Sequence, residues 1–212
     1  NGLIGMALSG NIGMDTIVAQ GCRPIGVPVK ISKCNGTLLT EMDEQPPLDL
    51  LEKIHEELNE NDKRLVQTSL FLGIEMDPLK DNPQQGDFLI RNIMGADRAS
   101  GGIQVGAMLR EGQLVQFHLR DKDMSAEDLR LVLNRYKTEE HAKKASGALL
   151  FSCLGRGQYL YGKPNHDSDM FRDQLGDIPL GGFFCNGEIG PVGKTTFLHG
   201  YTSSFGIFHP AH

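Results

Sequence analysis

Two short apolar segments with the same ending constrain this chain more than any other feature. Residues 148–153 (ALLFSC) and 180–185 (LGGFFC) each have the pattern of a buried strand that stops at a cysteine, and each runs into a glycine-containing turn. The segment between them has the pattern of one short helix, with Asp167 or Ser168 as its predicted N-cap. Strand, loop, helix and strand in this order predict a βαβ-like unit.

The rest of the chain alternates strand and helix patterns. Asn35-Gly36 predicts a two-residue hairpin turn, because both central positions of a type I′ turn need positive φ. Residues 48–58 place their Leu and Ile side chains on one helical face, and residues 124–145 form a second helix with Ser125 as its predicted N-cap. The predicted fold class is α/β or α+β: a mixed β-sheet with flanking helices and a βαβ-like C-terminal unit.

Composition and charge exclude several classes of function. A net charge of −6, with basic residues scattered along the chain, disfavours nucleic acid as a partner. No apolar run reaches the ~20 residues that a membrane span needs, and no leader opens the chain. The four cysteines form no CxxC pair, so we expect no metal site and reduced thiols in the cytoplasm. Asn1 in place of Met suggests a piece of a longer chain.

The turns that follow the two apolar strands carry most of the candidate ligand-binding residues. Ligands collect at the carboxyl ends of strands in open α/β sheets, so we expect the two strand ends to share one mouth. Arg156 would hold an anionic group there, and Glu188 would pair with Arg156 or bind an amine. An Arg156–Glu188 ion pair without a ligand is an equally open alternative. The candidate residues are Cys153, Gly155, Arg156, Gly157, Cys185, Gly187, Glu188, His199 and Arg120.

Three of the residues outside these turns each have two interpretations. His199 either faces the same mouth or is a turn histidine. Arg120 either adds charge to the pocket or, with Asp121, fixes the entry of the next helix. His118 lies on the solvent face of a strand or, like His199, is a candidate axial ligand to haem. We expect no other cofactor.

The cysteines support a second hypothesis, a thiol enzyme. Cys153 would be the nucleophile, Arg156 would orient a carboxylate, and His199 or Glu188 would be the base. We favour the interpretation of both strand-end cysteines as small core residues, and so assign no catalytic residue. A third hypothesis is a protein-interaction scaffold that binds no ligand.

Five stretches together resemble the FIST family of sensory proteins. They are GCRPIG (21–26), FHLRDKDMSAEDL (117–129), GALLFSCLGRG (147–157), PLGGFFCNGEIGP (179–191) and FLHGYTSSFGIF (197–208). The resemblance implies that residues 1–45 are the end of an N-terminal FIST domain with a connecting hairpin. It implies that residues 46–212 are a C-terminal FIST domain.

The resemblance also implies a function. FIST-type proteins occur in bacterial signalling proteins and eukaryotic F-box proteins, are thought to sense small molecules such as amino acids, and in some members bind haem. The family has no general catalytic reaction. We therefore expect an intracellular sensory module for an amino-acid-like or other anionic metabolite, with a further protein of a signalling or assembly complex as a partner.

Overall fold

The computed structural model describes residues 5, 7–192 and 195–211. The strands of this part of the chain are β1 (Gly13–Ala19), β2 (Cys22–Asn35), β3 (Leu38–Met42), β4 (Leu70–Glu75), β5 (Phe88–Asp97), β6 (Gly102–Val105), β7 (Leu114–Arg120), β8 (Gly147–Cys153), β9 (Leu180–Cys185), β10 (Glu188–Val192), β11 (Thr195–His199) and β12 (Ser203–His209). The α-helices are α1 (Pro47–Glu57), α2 (Glu60–Thr68), α3 (Lys122–Lys137), α4 (Gln158–Tyr161) and α5 (His166–Leu175), and a 3₁₀-helix spans Glu140–Lys144.

Six strands close into a barrel in the order β2-β3-β6-β5-β4-β7. The long strand β2 makes closure feasible, because its first half pairs with β7 and its second half pairs with β3. A register irregularity between Ile25 and Val29 lies within the part of β2 that pairs with β7, and irregularities of this kind bend a strand. Leu39, Leu72 and Phe117 fill the interior, and the apolar faces of α1 and α2 pack against the same core.

A separate four-stranded sheet has the order β1-β12-β8-β9, and its helix-covered face carries the second core. Helices α3 and α5 contact each other, and Leu129, Phe171 and Phe205 lie buried between helices and sheet. Strands β8 and β9 run parallel, with α5 in the connection between them. The predicted βαβ-like unit is therefore confirmed.

The mixed α+β fold class is confirmed, and so is the hairpin turn at Asn35-Gly36, where Gly36 has a φ of 61°. Closure of one sheet into a barrel was not predicted. Strands from both sides of residue 45 pair in the same sheets, as β1 does with β12 and β2 with β7. The domain division at that residue stays a prediction.

Two predicted helix caps are wrong. The N-cap of helix α3 lies four residues earlier than expected, at Asp121, because the Asp121 carboxylate accepts a hydrogen bond from the amide of Met124. Ser125 instead donates to the carbonyl of Gly21. Helix α5 has Asn165 at its N-cap position, without a capping side chain. Of the described residues, none belongs to a helix long and apolar enough to cross a membrane.

We expect His118 to make the fold sensitive to mild acid. Burial lowers the pKa of this barrel histidine to about 4, and its Nδ1 donates to the carbonyl of Gln116. As the pH falls below the ordinary histidine pKa, His118 becomes protonated in the unfolded chain but stays neutral in the folded chain. The free energy of unfolding should therefore fall by about 2.5 kcal/mol between about pH 7.5 and 4.5. Urea unfolding of His118→Gln should lack this component, whereas His55→Gln should keep it; an equal pH dependence in both variants would contradict the prediction.

Candidate functional site

The carboxyl ends of β8 and β9 lie side by side, as the sequence predicts. Cys153 and Cys185 are register partners at the last position of each strand, and the amide of Leu154 donates to the carbonyl of Cys185 over 2.9 Å. The loop that leaves β8 therefore starts directly beside the turn that leaves β9. Both candidate segments converge on one edge of the sheet.

Gly157 ends the β8 loop in a conformation that needs glycine. Its φ is 68°, and an added Cβ would lie 2.9 Å from the ring of Phe184. The residue also stands at the N-cap of α4. The absence of a side chain thus lets the aromatic ring of β9 lie directly on the loop.

Arg156 is buried and fully engaged with protein groups. Its side chain, 1% exposed, makes a two-pronged ion pair with Asp167: Nε to Oδ2 over 2.8 Å and Nη2 to Oδ1 over 3.2 Å. Nη2 also donates to the hydroxyl of Tyr161, and Nη1 to the carbonyl of Tyr201. The alternative ion pair with Glu188 is not formed, because the Arg156 guanidinium pairs with Asp167 of α5 instead.

Asp167 is the centre of this cluster and is the residue that the sequence analysis missed. Its carboxylate accepts further hydrogen bonds from Ser203 over 2.5 Å and from the Nδ1 of His166 over 3.0 Å. Burial alone would raise the pKa of Asp167, but these bonds and the Arg156 charge outweigh burial and hold it well below its ordinary value. The sequence signal for this role is an acid in the first turn of a helix that follows a buried strand, a pattern that by itself predicts only a helix cap.

Glu188 forms a second buried cluster. Its carboxylate, 1% exposed, accepts from the hydroxyl of Thr202 over 2.8 Å and from the Cys185 thiol over 3.3 Å. Burial, reinforced by this carboxylate, raises the pKa of Cys185 to about 11. His199 faces Glu188 across the β10–β11 pair, and its Nε2 lies 3.0 Å from the carbonyl of Gly190.

The two clusters lie on opposite faces of the sheet. Successive side chains of a strand alternate in direction, so Ser152 and Phe184 lie on the face that carries α5. Ser152 accordingly lies 3.5 Å from Asp167. Cys153 and Cys185 lie on the other face. The two strand ends therefore do not form one shared binding site as predicted. They carry the Arg156–Asp167 cluster on one face of the sheet and the Cys185–Glu188 cluster on the other.

Arg120 reaches this edge from the barrel. Its side chain is 8% exposed, donates from Nη2 to the carbonyl of Gly155 over 3.0 Å, and lies 4.9 Å above the Tyr201 ring. Its Nε is buried without a hydrogen-bond partner, and among the described residues no carboxylate forms an ion pair with it. Burial, followed by the repulsion of nearby Arg156, lowers its pKa.

Tyr201 connects the two arginines. Its backbone adopts a φ of 66°, which is unusual for a residue other than glycine. This conformation turns the carbonyl towards Arg156 while the ring supports Arg120, and the hydroxyl donates to Asn92 of the barrel over 2.6 Å. Strain of this kind, on the order of 1 kcal/mol or more, is found where the surrounding structure fixes a site.

A cavity of about 390 Å³ opens beside Gly157, between α5 and β9. Its size is in the range of small-molecule sites. Ser152, Gln158 and His166 contribute polar groups to its lining, and Phe184 contributes an aromatic ring. Gly181 and Gly182 form part of the cavity wall, and the absence of side chains at these positions of β9 leaves part of the cavity volume free.

The two candidate haem ligands do not fit a haem in this structure. The His118 ring is 1% exposed and packs between Gly73 and Phe88, where an added Cβ on Gly73 would collide with it. His199 is 3% exposed, and its Nε2 is already in contact with a backbone carbonyl. An axial ligand needs an accessible ring nitrogen and space for the macrocycle.

The chain is similar in sequence to proteins of bacteria and of eukaryotes. Uncharacterized proteins of Mycobacterium bovis and Mycobacterium tuberculosis are 41% identical to it over 208 residues, which are 98% of this chain and 53% of each relative. Human F-box only protein 22 is 31% identical over 108 residues, which are 43% of this chain and 27% of that protein. The chain thus spans about half the length of the mycobacterial relatives.

Models of two protein families match consecutive parts of the chain. The FIST N domain matches residues 1–45, and the FIST C domain matches residues 47–191. The second match covers more than half of the chain. The chain therefore belongs to the FIST family.

Proposed function

We propose that this chain is a sensory module that binds a small anionic or amino-acid-like metabolite at the edge formed by the ends of β8 and β9. FIST domains are generally described as sensory domains of signal transduction. One observation carries the choice of ligand class: the buried guanidinium of Arg120 beside Gly155, which lacks a carboxylate partner among the described residues.

The energetic argument rests on the difference between the two arginines. Arg156 is neutralised by Asp167 and has its donors occupied, so its role is to hold the loop in place. Arg120 has only a backbone carbonyl and an aromatic face as partners. A buried charge without a counter-charge costs several kcal/mol, and an anionic ligand group would supply that counter-charge.

The surroundings of Arg120 supply the rest of the proposed site. An added Cβ on Gly155 would lie 3.6 Å from both the Arg120 guanidinium and the Tyr201 ring, so the absence of a side chain lets Arg120 lie directly on the loop. The cavity beside Gly157, two residues further along the loop, is not lined by Arg120 or Gly155, and we propose it as the space for the body of a ligand whose anionic group reaches past the loop to Arg120. Its mixture of aromatic rings and hydroxyl, amide and imidazole groups suits a small amphipathic molecule.

The proposal also includes a cellular location and a protein partner for the module. The four cysteines are free, as in proteins of reducing compartments, which supports a cytoplasmic location. A sensor transmits its state, and we propose another protein of a signalling or assembly complex as the recipient.

Arg120→Gln tests the proposal. Native mass spectrometry of the wild-type chain should detect a co-purifying small molecule, and free amino acids and dicarboxylates should be screened by thermal shift. A ligand at about 100 times its Kd should add about 2.7 kcal/mol to the free energy of unfolding, which corresponds to a few degrees in Tm. Arg120→Gln should abolish this gain and change the ligand-free stability by less than about 1 kcal/mol, since it removes an uncompensated charge.

The matched control is Arg130→Gln, because Arg130 is an exposed arginine that pairs with Glu127 on the surface of α3. This variant should keep the ligand response. The proposal fails if Arg120→Gln responds to the ligand as the wild type does. It also fails if Arg120→Gln unfolds the chain, since Arg120 would then have a structural role.

A further inference from the structure

Two thiols lie next to each other at the ends of β8 and β9. Cys153 and Cys185 are register partners in parallel strands, so their Cα atoms are separated by about one strand spacing, ~4.8 Å, and their side chains leave the same face. This separation is within the range of ~4.4–6.8 Å that disulfides span. The Cys185 Sγ leans towards β8, at 3.6 Å from the carbonyl oxygen of Ser152.

A carboxylate is placed to take a proton from one of the thiols. The Cys185 thiol donates to Glu188 Oε1 over 3.3 Å, and Thr202 holds the other oxygen of Glu188 from its backbone amide and its hydroxyl. Cys185 is half-buried and therefore reachable, whereas Cys153 is 9% exposed. The arrangement thus offers an accessible thiol, a fixed proton acceptor and a second thiol behind the first.

We propose that Cys153 and Cys185 are an oxidative modification site, at which a peroxide converts the two thiols into a disulfide that joins β8 to β9. Cys185 attacks one peroxide oxygen, the O–O bond breaks, and the thiol proton passes through Glu188 to the departing hydroxide, which leaves as water. Cys153 then attacks the sulfenic sulfur of Cys185, the S–O bond breaks, and a second water leaves with the proton of Cys153. The two thiols lose two electrons, and one peroxide becomes two waters.

The disulfide would fix a wall of the cavity. Strand β9 is at the edge of its sheet and pairs only with β8 among the described strands. Phe184, the residue before Cys185, lies on Gly157 and lines the cavity. A covalent tie at Cys185 would restrict movement of this ring. The effect on a ligand rests on the proposed function, but formation of the disulfide does not.

The test oxidises the wild-type chain with hydrogen peroxide, denatures it, alkylates the remaining thiols and maps the peptides by mass spectrometry. We expect one disulfide between Cys153 and Cys185, two thiols left to alkylate, and reversal by dithiothreitol. Cys34→Ser should leave the disulfide intact, and Cys153→Ser should abolish it. Four alkylated thiols, a disulfide between any other pair, or sulfinic acid on Cys185 alone would overturn the proposal.

A second variant tests the proton acceptor. Near pH 7 Cys185 carries its proton, because burial and the Glu188 carboxylate raise its pKa to about 11. Glu188→Gln keeps an oxygen for Thr202 but cannot accept that proton, so at pH 7 it should slow disulfide formation by at least about tenfold, a low value for general-base assistance. An unchanged rate in a folded variant would overturn the role assigned to Glu188. Because the readout is a mass, failure here leaves the ligand prediction for Arg120 unaffected.

Discussion

Replacing Asp167 with alanine is expected to lower the free energy of unfolding by about 4 kcal/mol, because it strands a buried guanidinium. Arg156 would keep only the hydroxyl of Tyr161 and the carbonyl of Tyr201 as partners. Ser203 would lose its 2.5 Å contact with the carboxylate as well. Urea unfolding followed by circular dichroism measures the effect as a lower midpoint with an unchanged slope.

Asp169→Ala is the matched control for this experiment. Asp169 lies two residues further along the same helix, is half exposed, and pairs with the exposed Arg172 over 3.5 Å. Surface pairs of this kind contribute about 0–1 kcal/mol, so the control should be close to the wild type. Equal effects in the two variants would show that Arg156 does not depend on Asp167.

Asp167 should also contribute to acid unfolding. Its pKa is lower in the folded chain than in the unfolded chain, so its stabilisation is complete above the ordinary aspartate pKa. As the pH falls below about 4, the unfolded chain takes up the proton first, and the stabilisation declines towards the folded-state pKa. Asp167→Asn should remove this part of the pH dependence.

Replacing Gly182 with alanine is expected to detach β9 from β8, with a loss of about 4 kcal/mol. An added Cβ would overlap the carbonyl oxygen of Leu150 on the neighbouring strand, and the backbone φ of 156° is outside the range that L-residues prefer. Overpacking and backbone strain each cost about 1–3 kcal/mol. Amide hydrogen exchange should show faster exchange confined to β9 and its neighbours.

Gly181→Ala provides the control one residue earlier in the same strand. Its added Cβ would meet only the side chain of Leu149, at 3.8 Å, which is an ordinary contact. Stability should stay within about 0.5 kcal/mol of the wild type, as for other exposed positions. If both glycine variants are equally stable, the close approach of the strands at Gly182 is not a constraint on this sheet.

The sequence predicted the parts of this protein that depend on neighbouring residues. The alternation of apolar segments with glycine turns established the strands on either side of α5 and the hairpin at Asn35-Gly36. The apolar stripe at Leu48, Leu51 and Ile54 established the helix that packs on the barrel. Glycine motifs at the ends of β8 and β9 indicated the edge where the candidate residues meet.

Only the tertiary structure decided which partners these residues have. Whether Arg156 pairs with Glu188 or Asp167 depends on how α5 is placed over the sheet, and local spacing carries no such information. The closed barrel depends on β2 pairing with both β3 and β7, and Arg120 meets Gly155 only because the barrel lies against the sheet. Contacts between residues distant in sequence arise from packing of the whole chain, and among the described residues such contacts decide that the charge of Arg156 is neutralised by Asp167 while Arg120 has no carboxylate partner.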